Sequence, residues 1–202
     1  MSFTPVPTTQ TRLNRSELFV PGSKPELFEK AIQSNADVIC MDLEDAVAPQ
    51  DKENAKKNVI KALNEIDFGK KTISIRINGL DTHYCYRDVV DVMENGGERL
   101  DLIMIPKAGV PEDVYAIDVL VSQIEDKTER SKKIGFELIV ETSMGITNLD
   151  KIITGSKRVE SLHFGYADYA ASEMMRTTNI RVTNHDYSIL TDEIKGESID
   201  QR

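Results

Sequence analysis

The chain has 202 residues, 40% of them hydrophobic, and a formal net charge of −9 at pH 7. This length suits one hydrophobic core rather than two ordinary domains, so we expect a single soluble domain over residues 1–202. The acidic charge and the lack of a Lys/Arg-rich tract argue against a nucleic-acid partner. The apolar runs are shorter than the roughly 20 residues of a membrane helix, and residues 1–11 lack a signal-peptide apolar region, so we expect a cytoplasmic protein without a membrane partner.

Six short apolar runs, dense in β-branched or aromatic residues, predict strands. In chain order they cover residues 16–20, 36–43, 72–77, 100–105, 135–140 and 161–165. Amphipathic stretches after them predict helices over residues 24–34, 50–66, 82–95, 111–125, 146–154 and 166–175. Pro25 and Pro111 stand near two of these helix starts, a position that proline favours.

The alternation of strands and helices predicts repeated βα units around a parallel sheet. We expect an α/β fold, a TIM (β/α)8-type barrel of which about six βα units are present in this chain. Such a barrel needs eight strands and usually about 250 residues, so two C-terminal units are expected to be missing. Residues 181–202 are predicted to form a polar, acidic tail without a strand. The alternative is an open six-stranded sheet whose edges must be covered.

Reactive groups in parallel βα folds lie at the carboxyl ends of the strands. Glu141 follows the fifth predicted strand and Asp168 follows the sixth. Adjacent strands lie about 5 Å apart, so the two carboxylates can share one hard cation. Magnesium suits such a site, because it binds one or two carboxylates and keeps exchangeable water positions; Mn²⁺ is an alternative. Each carboxylate could instead cap the helix that follows it.

Arg76 ends an otherwise apolar strand and is expected to point the same way as Ser74. Its planar guanidinium suits bidentate capture of a substrate carboxylate. The alternative is a salt bridge to Asp42, Glu44 and Asp45 on the neighbouring strand, and both can hold together. We expect this acidic trio to order water and orient Arg76 beside the metal.

Three residues near the amino end form a weaker pattern. Phe19 closes the first strand, and Lys24 and Lys30 follow it, so together they could stack an adenine and pair with phosphates. A core phenylalanine and two solvated lysines are the ordinary alternative. His163 is expected to be a core histidine. Cys40 and Cys85 have no CxxC partner and are expected to be reduced thiols.

Six motifs occur in order along the chain. They are RSELFVPG at 15–22, DLEDAV at 42–47, SIRING at 74–79, MIPK at 104–107, VET at 140–142 and FGYAD at 164–168. Together they resemble the HpcH/HpaI aldolase, or citrate lyase β-subunit-like, superfamily. Within it, YADYAAS at 166–172 followed by TTNI at 177–180 is most similar to the malyl-CoA/β-methylmalyl-CoA lyases.

The resemblance implies a TIM barrel, assembled into homotrimers or homohexamers, that cleaves malyl-CoA reversibly to acetyl-CoA and glyoxylate. It also implies cleavage of β-methylmalyl-CoA to propionyl-CoA and glyoxylate. Position by position, Glu141 and Asp168 match the magnesium ligands and Arg76 the substrate-binding arginine. Ala167 and Asp168 match a backbone contact to substrate, and Phe19, Lys24 and Lys30 match CoA-binding positions.

The family also has a C-terminal part that supplies further CoA contacts and an acidic residue across a subunit interface, and this part is expected to be missing here. The alternatives are a citramalyl-CoA or citryl lyase, or a malyl-CoA thioesterase, of the same superfamily. A non-catalytic acyl-CoA-binding protein and a purely structural α/β domain also remain open.

Overall fold

The computed structural model describes residues 12–175 and, beyond them, two short strands at 188–189 and 197–198. Six strands form one parallel sheet in the order β1-β2-β3-β4-β5-β6. The strands are β1 Glu17–Pro21, β2 Val38–Asp42, β3 Thr72–Arg76, β4 Leu102–Ile105, β5 Gly135–Val140 and β6 Val159–Phe164. Each strand lies beside the next one in the chain, as in a barrel wall, whereas a doubly wound sheet reverses its order.

Helices follow every strand and cover its outer side. They are α1 Phe28–Ile32, α2 Lys52–Glu65, α3 Cys85–Asn95, α4 Pro111–Lys127, α5 Ser143–Thr147, α6 Leu149–Ile152 and α7 Tyr166–Ser172. All six predicted strands and all six predicted helical regions are present, with ends that differ by a few residues. The helix predicted over 146–154 is two short helices divided at Asn148. The first begins earlier than predicted, because Thr142 caps α5 by accepting a hydrogen bond from the Gly145 N–H at 2.9 Å.

Alternation along the strands separates an outer apolar layer from a polar interior. On β5, Phe136 and Leu138 join the main core between sheet and helices, whereas Ile139 packs inside with Cys40 and Met104. Because both faces of β2 to β5 are covered, these four strands read as nearly continuous apolar runs, whereas β1 and β6 at the edges are partly exposed. The same alternation points the side chains two residues before and two residues after Ile139, at positions 137 and 141, toward the interior.

The sheet is curled rather than flat. His163 on β6 lies 3.5 Å from Glu17 on β1, although these are the last and first strands in the sheet order. A flat six-stranded sheet would hold them about 24 Å apart at the usual strand spacing. The fold is therefore a partial TIM-barrel-like wall of six βα units, as predicted. Among the described residues no pairing joins β6 to β1, so the wall is curled but open, with β1 and β6 as edge strands.

The C-terminal segment differs from its prediction. Strands β7 (Ser188–Ile189) and β8 (Glu197–Ser198) pair antiparallel with each other. The expectation of no strand in residues 181–202 is therefore wrong, because a two-residue strand is too short to leave a periodic signal. The rest of that tail lies outside the described residues. None of the described helices combines the length and apolar character required to cross a membrane.

Candidate metal and substrate site

A cavity of about 520 Å³ opens at the carboxyl ends of β1, β3, β5 and β6. Its volume lies in the range of pockets that hold small molecules and cofactors. The lining contains most of the predicted site: Phe19, Asp45, Arg76, Ile139, Glu141, His163, Phe164, Gly165, Tyr166, Ala167, Asp168 and Ala171. Residues far apart in the chain therefore meet around one space.

Glu141 follows β5 directly and is only 3% exposed. Its Oε1 accepts the Lys107 backbone N–H at 2.9 Å. Its Oε2 occupies the space that a side chain at Gly165 would fill, since a methyl group there would lie 2.2 Å away. Burial, together with the charge of Asp168, raises the pKa of Glu141 to about 7. A carboxylate held this way favours a compensating cation.

Asp168 lies in the first turn of α7, which follows β6. Strand β6 pairs with β5, so Asp168 and Glu141 reach the cavity from neighbouring strands. Helix capping does not account for Glu141, because Thr142 caps α5 instead. No side-chain cap starts α7. The predicted pair of carboxylates is therefore together at the cavity, as the metal hypothesis requires.

Arg76 is fixed by two acids. Its Nε and Nη2 donate to the two carboxylate oxygens of Asp42 at 2.8 and 2.5 Å, and Nη1 lies 3.1 Å from Glu44 Oε2. Asp42 is fully buried and also accepts the backbone N–H groups of Glu44 and Ala46. The predicted salt bridge to Asp42 and Glu44 is confirmed. Arg76 also lines the cavity, and its contact with a substrate carboxylate stays a prediction.

Lys107 is a site residue that the sequence did not single out. It lies in the turn just after β4 with φ +53°, a left-handed backbone conformation that is uncommon outside glycine. Its backbone N–H binds Glu141, and its ammonium group binds Glu44 and lies 3.7 Å from Asp45. The only sequence signal was its place at a strand end, in the MIPK motif. Its backbone strain has no local sequence signature.

The proposed CoA-binding residues divide into two groups. Phe19 is 40% exposed at the cavity, with its ring centroid 5.2 Å from the Arg76 guanidinium, so it is not a core phenylalanine. Ala167 also lines the cavity. Lys24 and Lys30 are exposed on the segment after β1 and do not line it. Their position leaves them free to contact only a ligand that extends beyond the cavity.

The chain matches the HpcH/HpaI aldolase/citrate lyase family over residues 15–188. It belongs to that family. It is 51% identical, over 95% of its length, to an L-malyl-CoA/β-methylmalyl-CoA lyase of Cereibacter sphaeroides, and covers 60% of that protein. A malyl-CoA/β-methylmalyl-CoA/citramalyl-CoA lyase of Chloroflexus aurantiacus is 32% identical over 83% of the chain, which covers 48% of that protein. The resemblance inferred from the motifs is confirmed.

Two solved structures have a similar fold. One is protein CitE of Mycobacterium tuberculosis in complex with magnesium, acetoacetate and coenzyme A, which matches with a TM-score of 0.60 at 22% identity. The match includes 84% of this chain and 56% of the CitE chain. A lead(II) complex of Haloferax volcanii malate synthase matches with a TM-score of 0.71 at 18% identity, over 80% of this chain and 53% of that one. The chain thus spans about 60% or less of the length of these relatives.

Proposed function

We propose that this chain forms the larger part of a magnesium-dependent carbon–carbon lyase. Its proposed reaction is the reversible cleavage of malyl-CoA to acetyl-CoA and glyoxylate, and of β-methylmalyl-CoA to propionyl-CoA and glyoxylate. The observation that carries this proposal is the meeting of Glu141, Asp168 and Arg76 around one cavity at the strand ends. The 51% identity to lyases named for both substrates supports the choice of reaction.

The donor set fits magnesium. Glu141 and Asp168 supply carboxylate oxygens, which hard cations prefer, and two protein carboxylates leave coordination positions for substrate oxygens. The Glu141 oxygen beside Gly165 occupies space that only glycine leaves open, so the chain has room for this ligand. A bound magnesium ion would act as a Lewis acid that stabilises negative charge on the substrate's hydroxyl oxygen. Mn²⁺ has the same ligand preference and is the alternative ion.

The remaining side chains have roles in binding and orientation. Arg76, held by Asp42 and Glu44, would bind the malyl carboxylate and stabilise charge that develops during cleavage. Cleavage breaks the bond between the hydroxyl-bearing carbon and the thioester's α-carbon; the hydroxyl loses its proton and the acetyl carbon gains one. Phe19 would stack on the CoA adenine, with Lys24 and Lys30 pairing with phosphates.

Product analysis tests this function. The protein is incubated with malyl-CoA and magnesium, and glyoxylate is trapped with phenylhydrazine while free CoA thiol is measured separately. Glyoxylate and acetyl-CoA without free CoA thiol support a lyase. Free CoA with malate would instead identify a thioesterase, and ligand binding without turnover would identify a non-catalytic acyl-CoA-binding protein.

Citramalyl-CoA is the second candidate substrate, because the Chloroflexus relative is named for it. Its cleavage gives acetyl-CoA and pyruvate, and the phenylhydrazine adducts of pyruvate and glyoxylate are separable by chromatography. The ratio of kcat/KM for the two substrates distinguishes the candidates.

We also propose that the protein is a homotrimer or homohexamer in the cytoplasm. Several large apolar side chains near the site are exposed, including Met144, Phe164 and Tyr166, and such patches often mark interfaces. Its two cysteines are free, as is usual in a reducing compartment. Light scattering after size-exclusion chromatography tests the oligomer, and a monomer at micromolar concentration would contradict it.

A further inference from the structure

Three side chains of the kinds that bind metal ions meet inside the barrel, farther from the carboxyl ends of the strands than Glu141 and Asp168. Glu17 of β1, Glu137 of β5 and His163 of β6 each present a donor atom within 4.8 Å of the others. The His163 Nε2 atom lies 3.5 Å from Glu17 Oε2 and 3.5 Å from Glu137 Oε1. Three separate strands therefore converge on one point.

The two carboxylates of this cluster differ in the hydrogen bonds that they accept. Glu137 is fully buried and accepts hydrogen bonds from the Ser74 hydroxyl at 2.6 Å, the Asn14 amide at 2.9 Å and the Ser161 hydroxyl at 3.0 Å. The Glu17 side chain is only 6% exposed, yet no N–H or hydroxyl group in the described part of the chain donates a hydrogen bond to it, and the Cys40 thiol that faces it is a weak donor. A buried carboxylate with so little hydrogen bonding is costly, so Glu17 calls for a positive partner.

Near neutral pH, protonation neutralises the buried Glu17 carboxylate in only part of the protein. Burial and the neighbouring Glu137 carboxylate raise the pKa of Glu17 to about 7, so its buried charge is present in much of the protein. Burial lowers the pKa of His163, but Glu137 and Glu17 together raise it above its ordinary value. A divalent cation would neutralise both carboxylates while leaving the imidazole neutral and able to coordinate.

We propose that Glu17, Glu137 and His163 bind a divalent transition-metal ion, with zinc the best match, at a site distinct from the Glu141 and Asp168 pair. Zinc takes imidazole nitrogen and carboxylate oxygen together, whereas magnesium favours oxygen ligands alone. The hydroxyl and amide groups on Glu137 act as outer partners that orient this ligand.

The two sites are separated along the same strand. Glu137 and Glu141 are four residues apart on and just after β5, which corresponds to about 13 Å at 3.3 Å per residue. His163 lines the cavity whose mouth holds Glu141, so an ion has a path from solvent to the interior. Fully buried Cys40 places a soft sulfur atom next to the cluster; burial, and then the charges of Glu17 and Glu137, raise the pKa of its thiol. The bound ion would join β1 to β5 and β6 across the barrel interior.

Zinc binding to a protein without the Glu141 and Asp168 carboxylates tests this site. The background variant is Glu141→Gln with Asp168→Asn, stripped with a chelator, desalted and titrated with zinc by calorimetry in the presence of millimolar magnesium. We expect about one zinc ion per chain. Glu17→Gln and His163→Gln, each added to this background, should weaken zinc binding at least tenfold, whereas His83→Gln should not, because His83 is exposed and outside the cluster.

Cobalt absorption supplies an independent measurement. Co²⁺ in place of zinc should give visible bands that disappear in His163→Gln and persist in His83→Gln. Circular dichroism confirms that each variant folds; should the double variant fail to fold, the same titration is made on the unmodified chain saturated with magnesium. The proposal is overturned by no zinc binding in either protein, or by equal binding in His163→Gln and His83→Gln. Neither result depends on lyase activity, which the background variant is expected to lack.

Discussion

The two ends of the barrel interior handle buried charge in opposite ways. At the carboxyl ends of the strands, the acids Asp42 and Glu44 are matched by the cations Arg76 and Lys107 within the chain. Deeper inside, Glu17 and Glu137 face one imidazole. The upper network is balanced by its own cations and therefore fixes geometry, whereas the lower cluster has an excess of negative charge that an external ion can neutralise.

Among the described residues, Glu141 is an acid at the carboxyl ends of the strands that forms no salt bridge with a side-chain cation, since its bond to Lys107 comes from the backbone. It therefore resembles Glu17 more than Glu44. The comparison predicts metal binding at two places, one with oxygen ligands only and one with nitrogen included. Four experiments, ordered from the largest expected effect to the smallest, test this contrast.

Asp168→Asn or Glu141→Gln should have the largest effect. Removing a ligand charge should lower magnesium-dependent glyoxylate release by roughly 10³-fold or more, because the charge developing on the substrate oxygen loses its counter-ion. Stopped assays of glyoxylate with and without added magnesium measure this loss. Asp150→Asn, in an exposed acid on α6, is the matched control and should be neutral. Undiminished turnover after EDTA treatment would rule out the metal role.

Arg76→Ala should remove most turnover while leaving CoA affinity nearly unchanged. We expect a loss of about 10²–10³ in kcat, because one preorganised donor to the reacting oxygen is worth that much. The variant also leaves Asp42 buried without its cation, at a cost of about 3–5 kcal/mol in the free energy of unfolding. Arg76→Lys restores the charge but not the two-pronged hydrogen bond, so it separates the two effects.

Steady-state kinetics and CoA calorimetry on both Arg76 variants measure this prediction. Arg87→Ala is the control, because this exposed arginine lies 3.9 Å from Asp91 in a weak surface pair. A selective loss of CoA affinity in Arg76→Ala, with turnover intact, would contradict the assignment.

Gly165→Ala should weaken magnesium binding by roughly tenfold, because displacing one ligand oxygen disturbs the coordination of the ion. The added methyl group would lie 2.2 Å from Glu141 Oε2 and must push that carboxylate aside. Gly109→Ala is the control, since its methyl group would meet the flexible Met144 side chain at 3.3 Å and Asp113 Oδ2 at an ordinary contact distance of 3.6 Å. Activity measured against magnesium concentration gives the affinity; identical curves for the two variants would show that Gly165 does not make room for the ligand.

Glu17→Gln should stabilise the metal-free protein at high pH. The folded state binds the Glu17 proton up to a pKa of about 7, and an unfolded glutamate loses it near 4.3. The free energy of unfolding therefore falls as pH rises through this window, and glutamine removes the loss. We expect a gain of about 1–3 kcal/mol at pH 8 with EDTA, and little change at pH 4.

Urea unfolding at pH 4 and pH 8 measures that difference, with exposed Glu26→Gln as the control. Added zinc should reverse the order at pH 8, because it stabilises only the chain that keeps the ligand. A Glu17→Gln protein that is less stable at pH 8 in EDTA would show that the carboxylate is already compensated.

The sequence predicted the barrel wall and the upper site because both have local signals. Buried parallel strands give apolar runs, and their ends identify Glu141, Asp168 and Arg76. The lower cluster was missed because Glu137 interrupts an apolar strand without any motif, and because the approach of β1 to β6 arises from the curl of the whole sheet. The ordinary interpretation of His163 as a core histidine was reasonable from its neighbours Leu162 and Phe164, yet both are exposed.

Lys107 connects Glu141 on one side of the cavity with Glu44 and Arg76 on the other. Its backbone holds Glu141 and its side chain holds Glu44, which in turn contacts Arg76. A displacement of the arginine by substrate would therefore reach the carboxylate on the other side of the cavity through Glu44 and Lys107. This path would add to the direct coupling between substrate and metal, so magnesium should tighten the binding of malyl-CoA less in Lys107→Met than in the unmodified chain.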